Sequence, residues 1–141
     1  ELFASGRGFT DVQEARTFVS ETGVDWLSVA IGNIHGAISG AAKNAKKPEA
    51  RLSIARLREL STASGIPLVL HGGSGIARDS LRDGMQNGIA KINVGTALRQ
   101  AYEESRPVSV ALAQQAVYRA AVSVIVDELG IAGSADRLVG R

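Results

Sequence analysis

The apolar positions of this chain alternate between helical spacing and short continuous runs. Helical spacing predicts helices over 10–23, 49–65 and 77–88, and one or two long helices from Thr96 onward that Pro107 breaks or restarts. Near-continuous apolar runs that end in glycine or polar residues predict three buried strands, over 24–32, 66–70 and 89–95. Within the first helix, Asp11 or Thr10 can cap the start and Gly23 the end.

The order of these elements predicts an α/β fold. Strands that alternate with helices at this spacing form parallel βαβ units, and strands covered on both faces are apolar throughout. About three such units are present, which fits either a doubly wound sheet or part of a (β/α)8 barrel. Trp26 opens the first strand, and we expect it to lie in the core.

The composition of the chain argues against several classes of function. The 141 residues carry 16 basic and 14 acidic side chains, and a net charge of +2 gives no argument for nucleic acid. The basic cluster at 43–48 is typical of a solvated loop. The absence of cysteine excludes disulfides and thiolate metal sites and fits a cytoplasmic location. No apolar run reaches the ~18–20 residues that span a bilayer, and no secretory signal opens the chain.

The only two histidines both follow predicted strands. His35 comes after the first strand and His71 after the second, and each is followed by glycine. Because the carboxyl ends of parallel strands meet on one face, we expect the two imidazoles to share a divalent metal such as zinc. A third ligand would be a carboxylate or would lie outside this chain. The alternative is that each histidine is a hydrogen-bonded loop residue.

Two glycine-rich segments follow the second and third strands. Glycines in 72–75 allow backbone N–H groups to approach an oxyanion, and the start of the next helix adds a favourable field. The segment Asn93–Thr96 is a second small, polar strand end. In barrels, the loops after the last strands often bind phosphate, so these segments predict a phosphate site. The alternative is a plain glycine-rich turn.

Three ordered motifs, VDWLSVAIGNIHGAISG, IPLVLHGGSGI and GIAKINVGTALRQAY, resemble the C-terminal part of the class II, zinc-dependent ketose-bisphosphate aldolases. The resemblance spans nearly the whole chain, including the final IAGSADRL. It implies a (β/α)8 TIM barrel, of which this chain supplies about three βα units plus C-terminal helices. It also implies reversible cleavage of fructose- or tagatose-1,6-bisphosphate into dihydroxyacetone phosphate and glyceraldehyde 3-phosphate.

The resemblance assigns roles to particular residues. His35 and His71 match two of the three zinc-binding histidines of the family. The residues that match its grip on dihydroxyacetone phosphate follow the three strands: Gly36, Gly72, Gly73, Ser74, Asn93, Val94, Gly95 and Thr96. Backbone around Gly36, Gly72 and Ser74 would also serve a sodium or potassium ion near the phosphate.

Some features of the family have no counterpart here. Its remaining zinc histidine, catalytic aspartate and mobile-loop glutamate belong to upstream sequence, so we expect no catalytic residue in this chain. We therefore expect residues 1–141 to be the C-terminal portion of a single barrel domain that is inactive alone and belongs to a homo-oligomeric, cytoplasmic enzyme. Asn33 and Ile34 stand where many relatives have small hydroxyl residues.

Two other functions stay open on the sequence. A non-catalytic, aldolase-like subunit would keep the fold and the phosphate grip but only stabilise a partner. A metal-free, phosphate-binding α/β enzyme would hold His35 and His71 far apart.

Overall fold

The computed structural model describes residues 7–33, 50–138 and 140. The chain forms two compact units that divide between Val94 and Gly95. The elements of the first unit are α1 (Val12–Thr22), β1 (Leu27–Val29), α2 (Ile54–Ser64), β2 (Leu68–Leu70), α3 (Arg78–Gln86) and β3 (Ile89–Ile92). Those of the second are α4 (Thr96–Ser105), α5 (Val110–Ser123), a π-helical turn (Val124–Glu128) and α6 (Ser134–Leu138).

The first helix begins and ends at residues whose chemistry favours a cap. Asp11 precedes α1, and its carboxylate accepts hydrogen bonds from the backbone N–H groups of Gln13 and Glu14 at 2.8 and 2.9 Å. Gly23 ends the helix in the left-handed conformation, with φ of 65°. Pro107 separates α4 from α5 as the sequence predicts. Within the second unit, Ala113 of α5 is fully buried.

The three strands form one parallel sheet in the order β1-β2-β3. Sequential strands lie side by side without a reversal, which is the arrangement that a (β/α)8 barrel requires. The strands are shorter than the apolar runs predict: the first, for example, covers Leu27–Val29 within the expected 24–32.

One face of the sheet is apolar and buried. Val29, Leu68, Leu70 and Ile89 are each at most 4% exposed, and a methyl group built on Gly84 of α3 would lie 3.6 Å from Ile89 Cγ1. This face therefore packs against helices. The opposite face carries Ser28, Val69 and Lys91, of which Ser28 and Lys91 are exposed.

An irregularity in the pairing of β2 with β3 decides which side chains of β3 join the open face. Leu68 pairs with Ile89, but the next residue, Val69, pairs with Lys91, so that Ala90 is an extra residue. Side chains in a regular strand alternate between faces, and Ile89 and Lys91 would then lie on the same face. The bulge instead leaves Ile89 in the core and turns Lys91 to the side of Val69.

Trp26 is an exception to the predicted core. It is 51% exposed in the described part of the chain and lies one residue before β1, not inside it. The alternation of side chains places it on the side of Ser28, the face that the helices of this unit do not cover. The expectation of a buried Trp26 is therefore wrong here.

We expect Gly84→Ala and Gly88→Ala to change stability in opposite directions. A methyl group at position 84 makes ordinary contacts at 3.5 and 3.6 Å inside a helix, so it should stabilise the protein by about 0.5–1 kcal/mol. At position 88, φ is +121° and the methyl group would lie 2.7 Å from Ser61 Oγ, so the change should cost more than about 1 kcal/mol. Urea unfolding of the two variants measures both; equal effects would contradict this account of α3 and its exit.

Candidate functional site

The candidate site lies at the carboxyl end of the sheet, where polar residues follow each strand. His71 comes directly after β2, Asn93 directly after β3, and Asn33 shortly after β1. All three residues are partly exposed to solvent. Of the residues predicted to converge here, His71 and Asn93 lie in the described part of the chain, and Asn33 joins them at this end of the sheet.

Asn93 and His71 are in direct contact. The amide nitrogen Nδ2 of Asn93 lies 3.0 Å from Nε2 of the His71 ring and 3.5 Å from Nδ1. The contact exists because the bulge turns Asn93, like Lys91, to the face on which His71 lies. Lys91 Nζ in turn donates a hydrogen bond to Asn93 Oδ1 at 2.5 Å.

Asn33 fixes the backbone beside the histidine. Its Nδ2 donates to the carbonyl oxygen of His71 at 2.8 Å, while its Oδ1 accepts from the backbone N–H of Ile31 at 3.0 Å. The Asn33 side chain thus links the segment after β1 to the residue that follows β2. A small hydroxyl residue at this position could not make both bonds with the same reach.

The segment after His71 crosses closely over the end of β3. Gly72 has φ of +71°, which glycine adopts without strain. The backbone N–H of Gly73 donates to the carbonyl oxygen of Asn93 at 3.1 Å, and a methyl group on Gly73 would lie 2.6 Å from Ile92 Cγ2. Gly73 is therefore required by the close approach of the two strand ends, and Ser74 beside it is buried.

The remaining predicted substrate residues divide between the two units. Val94 closes the first unit, and Gly95 and Thr96 begin the second. Gly95 is the N-cap of α4, and its carbonyl oxygen accepts from the backbone N–H of Arg99 at 3.0 Å. Their role toward a phosphate stays a prediction.

His35 and Gly36 lie outside the described residues, so the predicted sharing of one metal by His35 and His71 stays a prediction. Among residues 7–33 and 50–138, no group of three or more histidine and acidic side chains is close enough to hold a metal. His71 nevertheless suits a zinc ligand chemically: it is a half-buried imidazole at the carboxyl end of a parallel strand, with a polar side chain against its ring. The described residues thus fit one ligand of a zinc site whose other ligands would lie elsewhere.

Sequence reasoning missed the contributions of Asn33 and Lys91. The resemblance marks Asn33 only as a departure from the family, although an asparagine just past a strand is well placed to bond neighbouring backbone. Lys91 precedes Asn93 by two residues, and residues at that spacing in a strand share a face. The spacing of two residues between Lys91 and Asn93 is therefore the sequence signal that the two side chains lie close together.

Comparison with known proteins identifies the family. The profile described as fructose-bisphosphate aldolase class-II matches residues 2–134. The fructose-bisphosphate aldolases of Staphylococcus epidermidis and of Staphylococcus aureus strain Mu50 are each 35% identical over 96 residues, which is 68% of this chain and 31% of each relative. The chain belongs to the class II fructose-bisphosphate aldolase family.

Solved structures agree with the fold. The YdjI aldolase from Escherichia coli K12 matches with a TM-score of 0.70 at 33% identity, over 90% of this chain and 48% of its own. A Coccidioides immitis structure matches with a TM-score of 0.67 at 24% identity, over 92% of this chain and 46% of its own, and supports the fold alone. These are TIM-barrel proteins, so the predicted fold class is confirmed. The chain spans about half the length of the solved relatives.

No helix in the described ranges combines the length and apolarity needed to cross a membrane.

We expect Gly73→Ala to destabilise the protein by about 1–3 kcal/mol, because the added methyl group overlaps Ile92 Cγ2. In a background of Ile92→Ala, which removes that methyl group, the penalty should shrink. Denaturant unfolding of the wild type, the two single variants and the double variant measures the coupling between the two positions. Strictly additive effects would show that the close approach of Gly73 to Ile92 does not determine the need for glycine.

Proposed function

We propose that this protein is a zinc-dependent class II aldolase that reversibly cleaves a ketohexose 1,6-bisphosphate, of the fructose or tagatose series, into dihydroxyacetone phosphate and glyceraldehyde 3-phosphate. Family membership supports aldolase chemistry. The observation that carries the proposal is the contact of the His71 ring with the Asn93 amide at the carboxyl ends of adjacent strands. In TIM barrels, that end of the sheet carries the active site.

In this proposal His71 and His35 would hold zinc, with a third ligand outside this chain. Zinc, when bound, would polarise the carbonyl and hydroxyl oxygens of the triose as a Lewis acid. His71 is suited to hold a ligand position rigidly, since Asn33 anchors its backbone carbonyl and Asn93 contacts its ring. Rigid ligands preserve the geometry on which such chemistry depends.

Asn93 and the glycine segments would bind the triose phosphate. The Asn93 amide would hydrogen-bond a hydroxyl or phosphate oxygen of the substrate, and a donor there would stabilise negative charge that develops on a substrate oxygen. The backbone of Gly36, Gly72–Ser74 and Val94–Thr96 would grip the phosphate and position the reacting carbons without contacting them. A sodium or potassium ion near the phosphate is part of the same proposal.

The wider assignments also stay proposals. We propose that residues 1–141 form the C-terminal portion of one barrel domain, and that the proton-transfer group lies outside them. A homo-oligomeric state and a cytoplasmic location are predictions of the resemblance. The chain alone is expected to be inactive, so activity and ligand binding are to be measured on the intact protein.

His71→Ala should abolish stoichiometric zinc binding and aldol cleavage in the intact protein. Loss of a direct ligand should reduce zinc affinity by more than the ~10–100-fold that loss of an outer-shell partner costs. Zinc content after dialysis and calorimetric titration measure the effect, with Glu103→Gln, an exposed change on α4, as the matched control. Unchanged zinc stoichiometry in His71→Ala would falsify the ligand assignment. Zinc and triose phosphate binding by wild type without cleavage of either bisphosphate would favour the non-catalytic subunit instead.

Asn93→Ala should weaken binding of dihydroxyacetone phosphate by about tenfold or more at saturating zinc, because a hydrogen bond to a charged group is lost. Zinc affinity should fall less than affinity for the triose phosphate. Calorimetry with each ligand separates the two. Equal losses, or an unchanged triose phosphate affinity, would count against the proposed role of Asn93.

A further inference from the structure

Helix α5 carries an apolar face that the described part of the chain leaves open to solvent. Its inner side holds the buried Ala113, and Val124 is buried where the π-helical turn begins. On the other side, Tyr118 is 73% exposed and Val122 is 40% exposed. Arg119 is the only charged residue between positions 107 and 126. Surface helices carry charged residues on the side that faces water, so an exposed and nearly uncharged face indicates an interaction surface.

Four exposed residues of α5 form a seam along this face: Ala111, Gln115, Tyr118 and Val122. They follow one another at intervals of 4, 3 and 4 residues, the spacing at which one helix presents a continuous stripe to a partner helix. A shallow hollow on the same face is lined by Ala111, Gln114, Gln115, Tyr118 and Arg119. The hollow offers room for a side chain from a partner.

The spacing of the seam is the same from either end, so the seam is complementary to itself. A second α5 that runs antiparallel, with a two-fold axis midway between Gln115 and Tyr118, would lay the two seams on each other. Ala111 would then face Val122 of the partner subunit, a small residue beside a larger one. Gln115 would face Tyr118 of the partner subunit, and an amide and a phenol can exchange a hydrogen bond.

The charge on this face favours the antiparallel orientation over the parallel one. In the antiparallel arrangement, Arg119 lies opposite Gln114 of the partner subunit, whose amide oxygen can accept a hydrogen bond from the guanidinium. A parallel pair in the same register would instead set the two Arg119 side chains side by side, and like charges repel. Antiparallel helices also bring ends of opposite partial charge together.

We propose that the seam of α5 is the contact through which two copies of this protein associate, with the two helices antiparallel. The proposal goes beyond the aldol reaction and does not depend on zinc or substrate; it specifies the contact of the expected homo-oligomer. An isologous interface uses the same patch on both subunits. A self-complementary seam therefore fits a second copy better than it fits an unrelated segment.

Disulfide cross-linking of the intact protein tests the contact and its orientation. Ala111→Cys combined with Val122→Cys, in a background without other cysteines, should give a disulfide-linked dimer in most chains on mild oxidation with oxidised glutathione. A bond within one chain is excluded, because the two positions are eleven residues apart on one helix, about 16 Å along its axis. A disulfide requires Cα atoms within about 7 Å. Non-reducing gel electrophoresis measures the dimer.

The matched control is Ala111→Cys alone, which should stay monomeric on the gel because the antiparallel seam sets its two copies far apart. A covalent dimer through Ala111→Cys alone would show parallel pairing and would overturn the proposed orientation. Absence of the dimer in the doubly substituted protein would overturn the contact itself.

The mass of the intact protein in solution provides a second test. Wild type should sediment as a dimer or a larger assembly, and Tyr118→Glu combined with Val122→Glu should halve that mass, because each seam then carries two buried carboxylates. Val110→Glu places the same charge on an exposed residue of α5 outside the seam and should leave the mass unchanged. Circular dichroism checks that each variant is folded.

A monomeric wild type, or an unchanged mass in the doubly substituted seam, would overturn the proposal and would indicate that another part of the same chain covers this face. The outcome is separate from that of the proposed function. If the cross-link forms as expected while the intact protein cleaves neither bisphosphate, the interface stands and the proposed function fails.

Discussion

The extra residue Ala90 in the pairing of β2 with β3 is the constraint on which the site depends. In a parallel sheet, paired residues point to the same face, and a shift by one residue moves every following side chain to the other face. Because Val69 pairs with Lys91, the side chains of Lys91 and Asn93 lie on the face of His71 while Ile89 stays in the core. Bulges are common next to active sites for this reason, since they re-aim side chains at little cost to the sheet.

Hydrogen bonds between the strand ends hold this arrangement in place. Asn33 joins β1 to the carbonyl of His71, and the Gly73 N–H joins the segment after β2 to the carbonyl of Asn93. Each bond contributes only about 0.5–1.5 kcal/mol to stability. Their larger effect is on position. A site whose backbone is fixed before the ligand binds loses less conformational entropy on binding, and it keeps the reacting groups correctly oriented. The requirement for glycine at position 73 has the same origin, because the strand ends approach too closely for a side chain.

Family membership and the geometry of the site support different parts of the functional account. The family match, which covers residues 2–134, places the chain among the class II fructose-bisphosphate aldolases. The described geometry adds a particular arrangement: one imidazole at the carboxyl end of a parallel strand, an amide against its ring, and an ammonium against that amide. The open face of the sheet carries Ser28, Lys91 and the half-exposed Trp26. A few strands of a barrel would present such a face toward the barrel interior, which the remaining strands enclose. Zinc, the second histidine and the proton-transfer group belong to the proposal.

The sequence by itself determined the elements, their order and the position of the polar strand ends, because these follow from local patterns. The caps at Asp11 and Gly23, the break at Pro107 and the apolar runs that end at His71 and Asn93 are properties of neighbouring residues. Only the tertiary structure decided which polar side chains meet, because pairing register is a property of two strands and not of either alone. The bulge at Ala90, the reach of Asn33 to His71, the link from Lys91 to Asn93 and the exposure of Trp26 all depend on that register or on what covers each face of the sheet.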